Sequence, residues 1–262
     1  MNESLNISIL QYDIKWEDPV CNIRKVSELL SSNYEYFKSD IVLLPEMFST
    51  GFTMNTSLAQ NIDGETIEAI KKLSKQYDIA LFGSFMCIEQ NKLFNRAFFI
   101  TPDSETYYDK KHLFRPGDET KYYSSGDKQI IVDYKGWKIM LQICYDLRFP
   151  VWCRNINNNY DLLLIAANWP AIRQYPWDIL IKARAIENSC YVAAVNRVGY
   201  DGNNIYHSGD SAIIDMKGKT IARTTEGNES VINQTISLDS LKKFRNKFPV
   251  WKDADKFIIN EY

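Results

Sequence analysis

The sequence of 262 residues predicts an α/β fold built on mixed β-sheets. Short apolar runs alternate with stretches of helical spacing, which is typical of βαβ units. Other strand-like segments are separated only by short polar turns, which indicates hairpins and hence antiparallel pairing as well. We see no linker and no low-complexity segment, and therefore predict one domain over residues 1–262 with a short C-terminal tail.

Strands and helices alternate in the first half of the chain. Residues 5–12 alternate apolar and polar side chains, which predicts a strand. Asp18 and Pro19 supply an N-cap and a first-turn proline, and the spacing that follows predicts a helix to about residue 32. The other elements predicted here are strands at 41–44, 80–86 and 93–100 and a helix at 66–77.

The second half predicts two hairpins with a strand–helix–strand unit between them. The first hairpin turns at Lys135 and Gly136, and a short helix begins at Leu238. In chain order the segments are 130–134 and 137–144 for the first hairpin, 162–167 (strand), 177–188 (helix), 191–196 (strand), and 212–215 and 220–224 for the second hairpin.

The net charge and the lengths of the apolar runs limit which partners and which cellular location we expect for this protein. The chain has 31 Lys and Arg against 33 Asp and Glu, and a net charge of −2 predicts no nucleic-acid partner. No apolar run approaches the roughly 18 residues of a membrane span, and residues 1–6 lack the features of a secretion signal. We therefore predict no membrane association and a cytoplasmic location.

The cysteines and histidines argue against disulfide and metal chemistry. Five cysteines without a CxxC pair indicate reduced thiols rather than a disulfide framework or a thiolate zinc site. Two histidines are too few for the usual His-rich catalytic zinc site. Ser211 lacks the G-x-S-x-G pattern of a serine hydrolase. We predict no metal and no cofactor.

Cys144 lies in the run Ile139-Met-Leu-Gln-Ile-Cys-Tyr-Asp-Leu-Arg-Phe-Pro150, where a buried strand ends at a sharp turn. A thiol at such a turn can face a cleft, and the start of the next helix favours its thiolate form. The segment alone is also compatible with a packed core cysteine. For Asp146 and Arg148 we predict a structural ion pair within the turn.

Two further segments carry charged residues at the ends of apolar stretches. Ile41-Val-Leu-Leu-Pro-Glu46 ends on a carboxylate, and Tyr107-Tyr-Asp-Lys110 carries a lysine into an apolar patch. With Cys144, these segments resemble the nitrilase superfamily of carbon–nitrogen hydrolases, whose members carry Glu, Lys and Cys in this order. The family lysine lies two residues before the histidine of a K-x-H-L-F motif, and because His112 closes that motif here, it selects Lys110 rather than Lys111.

The resemblance implies a four-layer α-β-β-α sandwich and catalysis through a thioester. Cys144 would be the nucleophile and Glu46 the general base, with a pKa raised by its apolar neighbours. Lys110 would stabilise the oxyanion together with the backbone N–H of Tyr145.

A second carboxylate is implied in the loop after Lys110. Glu119 matches the family position, and its role would be to orient the lysine and balance its charge. Asp118 is adjacent and has the same chemistry, so the two are easily confused from sequence alone. His112 is interpreted as a packed, hydrogen-bonded residue rather than a catalyst.

Within the superfamily the likeness is greatest to the omega-amidases, which hydrolyse 2-oxoglutaramate and 2-oxosuccinamate to the oxo-acid and ammonia. We predict that Arg173 binds the substrate carboxylate through two parallel hydrogen bonds and that Phe52 and Trp169 wall the pocket. The likeness rests on residues 144–152, on residues 167–171 with Arg173 beyond them, and on residues 247–255.

Two other functions remain compatible with the sequence. A nitrilase or an N-carbamoyl amidase would use the same Glu–Lys–Cys set on another substrate. A non-catalytic binding protein on the same fold would have no need for Glu46, Lys110, Glu119 and Cys144 together, which speaks against it.

The resemblance also implies a homodimer. Relatives pair through helices after the nucleophile turn, which here would be residues 151–157 and 177–188. Trp152 and Trp177 would supply the aromatic area that interface cores favour. The alternative is that both tryptophans pack within one subunit.

Overall fold

The computed structural model describes residues 3–255 and 257–259, and for residues 34–37 it describes only the backbone. In this part of the chain the α-helices are α1 (Pro19–Phe37), α2 (Glu65–Tyr77), α3 (Glu119–Tyr122), α4 (Gln174–Asn188) and α5 (Leu238–Lys247). The strands are β1 (Ser4–Gln11), β2 (Ile41–Leu43), β3 (Ala80–Glu89), β4 (Lys92–Ile100), β5 (Glu105–Asp109), β6 (Ile131–Tyr134), β7 (Trp137–Ile143), β8 (Leu162–Ala167), β9 (Tyr191–Asn196), β10 (Val198–Tyr200), β11 (Tyr206–Ser208), β12 (Ala212–Ile214), β13 (Thr220–Arg223) and β14 (Ser230–Ser237).

Two six-stranded sheets share one pairing pattern. Their strand orders are β14-β1-β2-β3-β4-β5 and β13-β12-β9-β8-β7-β6, and β10 pairs with β11 in a separate ribbon. In each large sheet three neighbouring strands are parallel, β1 to β3 in one and β7 to β9 in the other, and the outer pairs are antiparallel. The predicted α/β class with mixed sheets is therefore confirmed.

The two sheets pack face to face between helices. Along β1, Leu5, Ile7 and Ile9 belong to the core shared with the second sheet, whereas Leu10 faces the helices on the other side, as the two-residue period of a strand requires. Helices α1 and α2 cover the outer face of the first sheet, and α4 covers that of the second through residues such as Ile181. These layers are the α-β-β-α sandwich that the resemblance implied.

Strand β14 was not predicted. Its sequence alternates only weakly, and the strand forms by antiparallel pairing with β1 along eight residue pairs, from Ser4 with Ser237 to Gln11 with Ser230. The last strand of the chain therefore closes the first sheet against the first strand. Such a distant partner leaves little local signal in the sequence.

The predicted helix at 151–157 is wrong. This segment forms a turn followed by a short 3-10 helix, Ile156–Asn158. Asn157 and Asn158 both have a φ of 54°, a left-handed conformation that Asn tolerates but that cannot continue a right-handed helix. The helix predicted to about residue 32 is longer than expected and ends at Phe37.

In residues 3–255 and 257–259, no helix combines the length and apolar character needed to cross a bilayer. The predicted single domain spans residues 1–262, and its residues 1–2, 256 and 260–262 lie outside the described residues.

Candidate active site

A cavity of about 540 Å³ opens where strands of both sheets end. Glu46 follows β2, Lys110 directly follows β5, Cys144 directly follows β7 and Asn168 directly follows β8, and all four line the cavity. The carboxyl ends of parallel strands are where α/β sheets bind ligands. The volume is within the usual range for small-molecule sites.

Cys144 is held on a strained turn. Its φ is 42°, a left-handed conformation that is uncommon for residues other than Gly, and the side chain is only 8% exposed. The thiol Sγ lies 3.9 Å from the backbone oxygen of Asn168, which directly follows the neighbouring strand β8. Strain of this kind persists where the surrounding structure enforces it, and it often accompanies function.

Lys110 is buried between two carboxylates. Its Nζ donates to Glu46 Oε1 at 2.7 Å and to Glu119 Oε1 and Oε2 at 3.1 and 3.0 Å. Burial alone would lower the pKa of Lys110, but the charges of Glu119 and Glu46 outweigh it and raise that pKa above its usual range. Lys110 is therefore a fixed positive charge at the inner end of the cavity.

Glu46 is held by three donors. Its Oε1 accepts from Lys110 and, at 2.8 Å, from Asn95 Nδ2, and its Oε2 accepts from the backbone N–H of Asn168 at 2.9 Å. The Asn168 side chain also donates to the backbone oxygen of Glu46. Because each carboxylate oxygen can accept two hydrogen bonds, Oε2 keeps one acceptor position for another group.

Glu119, and not Asp118, reaches Lys110. Glu119 is fully buried at the start of α3, and its Oε2 also accepts from the backbone N–H of Phe114. Burial raises the pKa of Glu119, the Lys110 charge lowers it, and the Glu46 charge raises it again, with a net upward shift. Asp118 is exposed and pairs with Lys121 at 3.0 Å.

The thiol of Cys144 does not have the thiolate character expected from a helix N-terminus. Burial raises the pKa of Cys144 well above its usual range, the Glu46 charge raises it further, and Lys110 acts in the opposite direction. The element after the strand is a five-residue 3-10 turn, Cys144–Arg148, so its dipole is small beside the cost of burying a charge. The resting thiol is protonated.

Sequence reasoning missed two polar residues that hold Glu46. Asn95 was counted only as part of a strand, and Asn168 only as part of a motif. Asn95 is a fully buried amide between Phe94 and Arg96 in β4, a strand of mainly apolar residues, and such a polar residue in a buried strand was the available signal.

Aromatic rings form the walls of the cavity. Phe52 lies with its ring centroid 5.3 Å from Lys110 Nζ and packs edge-on against Phe114 at 6.3 Å. Trp169 is buried, and its Nε1 donates to the backbone oxygen of Arg173 at 2.7 Å. Tyr145 also lines the cavity, and its ring packs against Phe114.

Two arginines line the outer part of the cavity. Arg173 Cζ lies 5.2 Å from the ring centroid of Phe114, and Arg148 Cζ lies 4.8 Å from that of Trp169. Among the described residues, no carboxylate lies within 4 Å of either guanidinium. Ion pairs are made instead by other arginines, such as Arg96, Arg184, Arg197, Arg223 and Arg245. Both charges therefore face the cavity without an acidic partner.

The predicted ion pair between Asp146 and Arg148 is wrong. Asp146 accepts from Tyr108 Oη at 2.7 Å and from the backbone N–H of His112 at 2.9 Å. The ring Nδ1 of His112 lies 2.8 Å from the same carboxylate, and the ring stacks on Phe149. Asp146 thus anchors the loop that carries Lys110, and His112 is the packed residue that we expected.

His207, the second histidine of the chain, lies in a strand. It is 2% exposed in β11 and lines the cavity. Burial and the positive charge of Arg197 lower the pKa of His207 to about 4, so it is neutral near pH 7.

The two tryptophans expected at a dimer interface pack within the subunit. Trp152 is 6% exposed, and its Nε1 donates to Tyr108 Oη at 3.0 Å. Trp177 is 1% exposed, and its Nε1 donates to the backbone oxygen of Asp210 at 2.8 Å. Both tryptophans are therefore almost fully covered within one subunit.

Comparison with known proteins gives consistent matches over nearly the whole chain. The model of the carbon–nitrogen hydrolase family matches residues 6–246. The omega-amidase YafV of Escherichia coli K12 is 39% identical over 97% of this chain and 98% of its own length. The 2-oxoglutaramate amidase of Bacillus subtilis is 32% identical over 95% of this chain and 97% of its own length.

A solved structure agrees with these matches. XC1258 from Xanthomonas campestris, a CN-hydrolase superfamily protein with an arsenic adduct in its active site, superposes with a TM-score of 0.95 at 41% identity. The superposition covers 98% of this chain and 99% of that protein.

Proposed function

This chain belongs to the carbon–nitrogen hydrolase family and hydrolyses amides, and we propose that its substrates are small oxo-acid amides, 2-oxoglutaramate and 2-oxosuccinamate. The products would be the oxo-acid and ammonia. A buried lysine that two carboxylates hold beside a thiol, at the closed end of a small-molecule cavity, is the arrangement that best supports this function.

Cys144 acts as the nucleophile in the proposed first step. As Sγ attacks the amide carbon, the thiol proton moves to the free position on Glu46 Oε2, and the carbonyl oxygen becomes an oxyanion. Because the resting thiol is protonated, Glu46 is needed at the moment of attack. The C–N bond then breaks, the nitrogen takes the proton from Glu46 and leaves as ammonia, and a thioester remains.

Water completes the cycle. Glu46 takes a proton from a water molecule as its oxygen attacks the thioester carbon, the C–S bond breaks, and the departing sulfur takes that proton back. Lys110 and the backbone N–H of Tyr145 stabilise the oxyanion in both steps. Lys110 Nζ makes one hydrogen bond to Glu46 and two to Glu119. We propose that the oxyanion replaces Glu119 as the acceptor of one of these two bonds, because the ammonium group has only three hydrogens.

Arg173 is the proposed partner of the substrate carboxylate. A guanidinium that packs on an aromatic ring, without an acidic partner among the described residues, keeps the N–H donors along its edge for a carboxylate. Phe52 and Trp169 would enclose the carbon chain. Arg148, which has the same environment on the ring of Trp169, is the second candidate.

Ammonia release separates this function from the alternatives. We expect release from 2-oxoglutaramate and 2-oxosuccinamate at a kcat/KM far above that for a short nitrile or an N-carbamoyl amino acid. Preference for either of these compounds would identify a nitrilase or a carbamoyl amidase. No release from any of them, with slow labelling of Cys144 by iodoacetamide, would favour a binding protein.

We also propose a homodimer and a cytoplasmic location. Helix α4 and the turn before it expose an apolar stripe at spacings of three, four and seven residues, which lie on one side of a helix, and this stripe supports pairing with a second copy. It consists of Ile172, Tyr175, Ile179 and Ile186.

The proposed cytoplasmic location is supported by the cysteines, because all five are free thiols, as expected in a reducing compartment. Cell fractionation beside a cytoplasmic marker enzyme tests that location.

A further inference from the structure

Asn95 lies at the centre of the buried polar groups but does not line the cavity. Its Nδ2 donates to Glu46 Oε1 at 2.8 Å and to Glu119 Oε1 at 3.0 Å. Its side chain is fully buried in β4, and β3 and the loop after β5 lie beside it. One amide group therefore joins the two carboxylates that also share Lys110.

The orientation of this amide follows from the hydrogen bonds around it. The backbone N–H of Met47 can only donate, and it donates to Ser84 Oγ at 2.9 Å. The Ser84 hydroxyl then donates its own hydrogen to Asn95 Oδ1, also at 2.9 Å. With Oδ1 as the acceptor, both hydrogens of Nδ2 must point at the carboxylates.

The charges of the site explain why such a donor is needed. When both are ionised, the fully buried Glu46 and Glu119 carry two negative charges, and Lys110 supplies one positive charge. Two buried carboxylates this close favour uptake of a proton, because like charges in a medium of low polarity repel strongly. A neutral amide that gives one hydrogen to each carboxylate stabilises both ionised forms without adding a charge.

We propose that Asn95 is a positioning residue that keeps Glu46 and Glu119 ionised together, so that Glu46 can accept the Cys144 proton. This inference rests on the proposed function, in which Glu46 is the general base. The anchoring of Oδ1 through Ser84 to Met47, the residue after Glu46, also ties the amide to the turn that carries the base.

Other titratable groups face the same carboxylates. Lys110 follows β5, Cys144 follows β7, and Tyr123 follows α3, where burial and the Glu119 charge raise the pKa of its hydroxyl above its usual range. Tyr123 therefore stays neutral, and Cys144 is protonated at rest. The hydrogen bond from Asn95 lowers the pKa of Glu119 against the opposing effect of burial, so the loss of Asn95 favours a protonated pair.

The test is the pH dependence of activity in Asn95→Ala. Without the amide, the acidic limb of kcat/KM for 2-oxoglutaramate should move upward by about one pH unit, since a hydrogen bond to a charged group is lost. Activity should recover toward the wild-type value as the pH rises above the new limb. Asn95→Asp keeps the shape of the side chain but has an oxygen in place of the NH2 group that donates to the two carboxylates. It should move the acidic limb in the same direction.

Asn155→Ala is the matched control. Asn155 is also a buried amide, but its hydrogen bonds go to Tyr160 and Asn188 in a structural turn. This variant should unfold at a lower temperature and keep the wild-type acidic limb. If the Asn95 variants behave like Asn155→Ala, with a limb that does not move, Asn95 is only structural and the proposal is overturned.

A second measurement separates this proposal from the choice of substrate. The rate at which iodoacetamide modifies Cys144, followed by peptide mass spectrometry across pH, also requires Glu46 to take the thiol proton. Its acidic limb should move upward in both Asn95 variants. If the wild-type protein does not hydrolyse 2-oxoglutaramate, the proposed function fails, but the pH profile of Cys144 modification still tests the role of Asn95. If Asn95→Ala does not fold, the profile of Asn95→Asp is the test.

Discussion

The inner and outer ends of the cavity differ in how their charges are balanced. At the inner end, Glu46 and Glu119 are buried and both contact the buried Lys110, so every charge has a partner. At the outer end, Arg148 and Arg173 are partly exposed and lie on aromatic rings, and no carboxylate of the described residues pairs with them. A preorganised inner end suits transition-state stabilisation, whereas unpaired outer charges suit recognition of a ligand that brings the missing charge.

The largest expected effect is at the inner end. Cys144→Ala should reduce kcat by at least about 10³-fold, because among the described residues that line the cavity Cys144 is the only thiol that can form the thioester. Cys153→Ala is the matched control, since this buried thiol lies 3.0 Å from Gln142 Oε1 and outside the cavity. It should keep wild-type kcat. Substantial ammonia release by the purified Cys144→Ala variant would exclude Cys144 as the nucleophile.

Glu119→Gln should affect the same end through Lys110. The variant keeps the shape but removes one of the two charges that hold the lysine, and we expect a loss of roughly 10²–10³ in kcat, as for loss of one oxyanion donor. KM for 2-oxoglutaramate should change little. Asp118→Asn removes an adjacent, exposed charge and should behave as wild type. Equal losses in the two variants would contradict the role assigned to Glu119.

Changes at Arg173 should separate the two ends. Arg173→Ala should raise KM for 2-oxoglutaramate, with a loss of roughly 2–5 kcal/mol in binding if the ion pair is desolvated. Arg173→Lys keeps the charge but loses the fork, and its KM should lie between those of wild type and Arg173→Ala.

A short uncharged amide is the control substrate, and neither Arg173 variant should change its kcat/KM. Equal losses on charged and uncharged amides would mean that Arg173 is structural. Arg148→Ala, measured on the same pair of substrates, would then show whether the second arginine binds the carboxylate.

The smallest expected effect tests whether assembly supports the outer end. Ile172 and Tyr175 flank Arg173, so pairing through the exposed stripe would order the loop that carries this arginine. Ile179→Glu should convert the dimer to a monomer in light scattering and raise KM a few-fold with kcat nearly unchanged. Ile88→Glu, at a partly exposed isoleucine on β3, should remain dimeric. A wild-type protein that is monomeric at micromolar concentration would refute the dimer.

Short motifs that resemble the nitrilase superfamily were enough to predict which residues meet at the inner end. Glu46, Lys110 and Cys144 each follow an apolar strand-like segment, and the K-x-H-L-F motif separated Lys110 from Lys111 without any tertiary information. The structure places Lys110 between Glu46 and Glu119, and Lys111 lies instead over the ring of Trp152. Strand periodicity likewise predicted the α/β class, because burial of alternate side chains is a local property.

Tertiary structure decided what depends on distant partners. Asn95 lies 49 residues from Glu46 in sequence and reaches it because β2 and β4 belong to the same sheet, whereas Asn168 lies 122 residues from it and reaches it only after the two sheets pack. The protonated state of Cys144 has the same origin, since burial and the Glu46 charge follow from that packing rather than from the turn itself. The sequence alone determined which residue types end each strand. Strand pairing within the first sheet brought Glu46, Lys110 and Glu119 together, and the packing of the two sheets added Cys144 and Asn168, because contacts between distant segments form only in the folded chain.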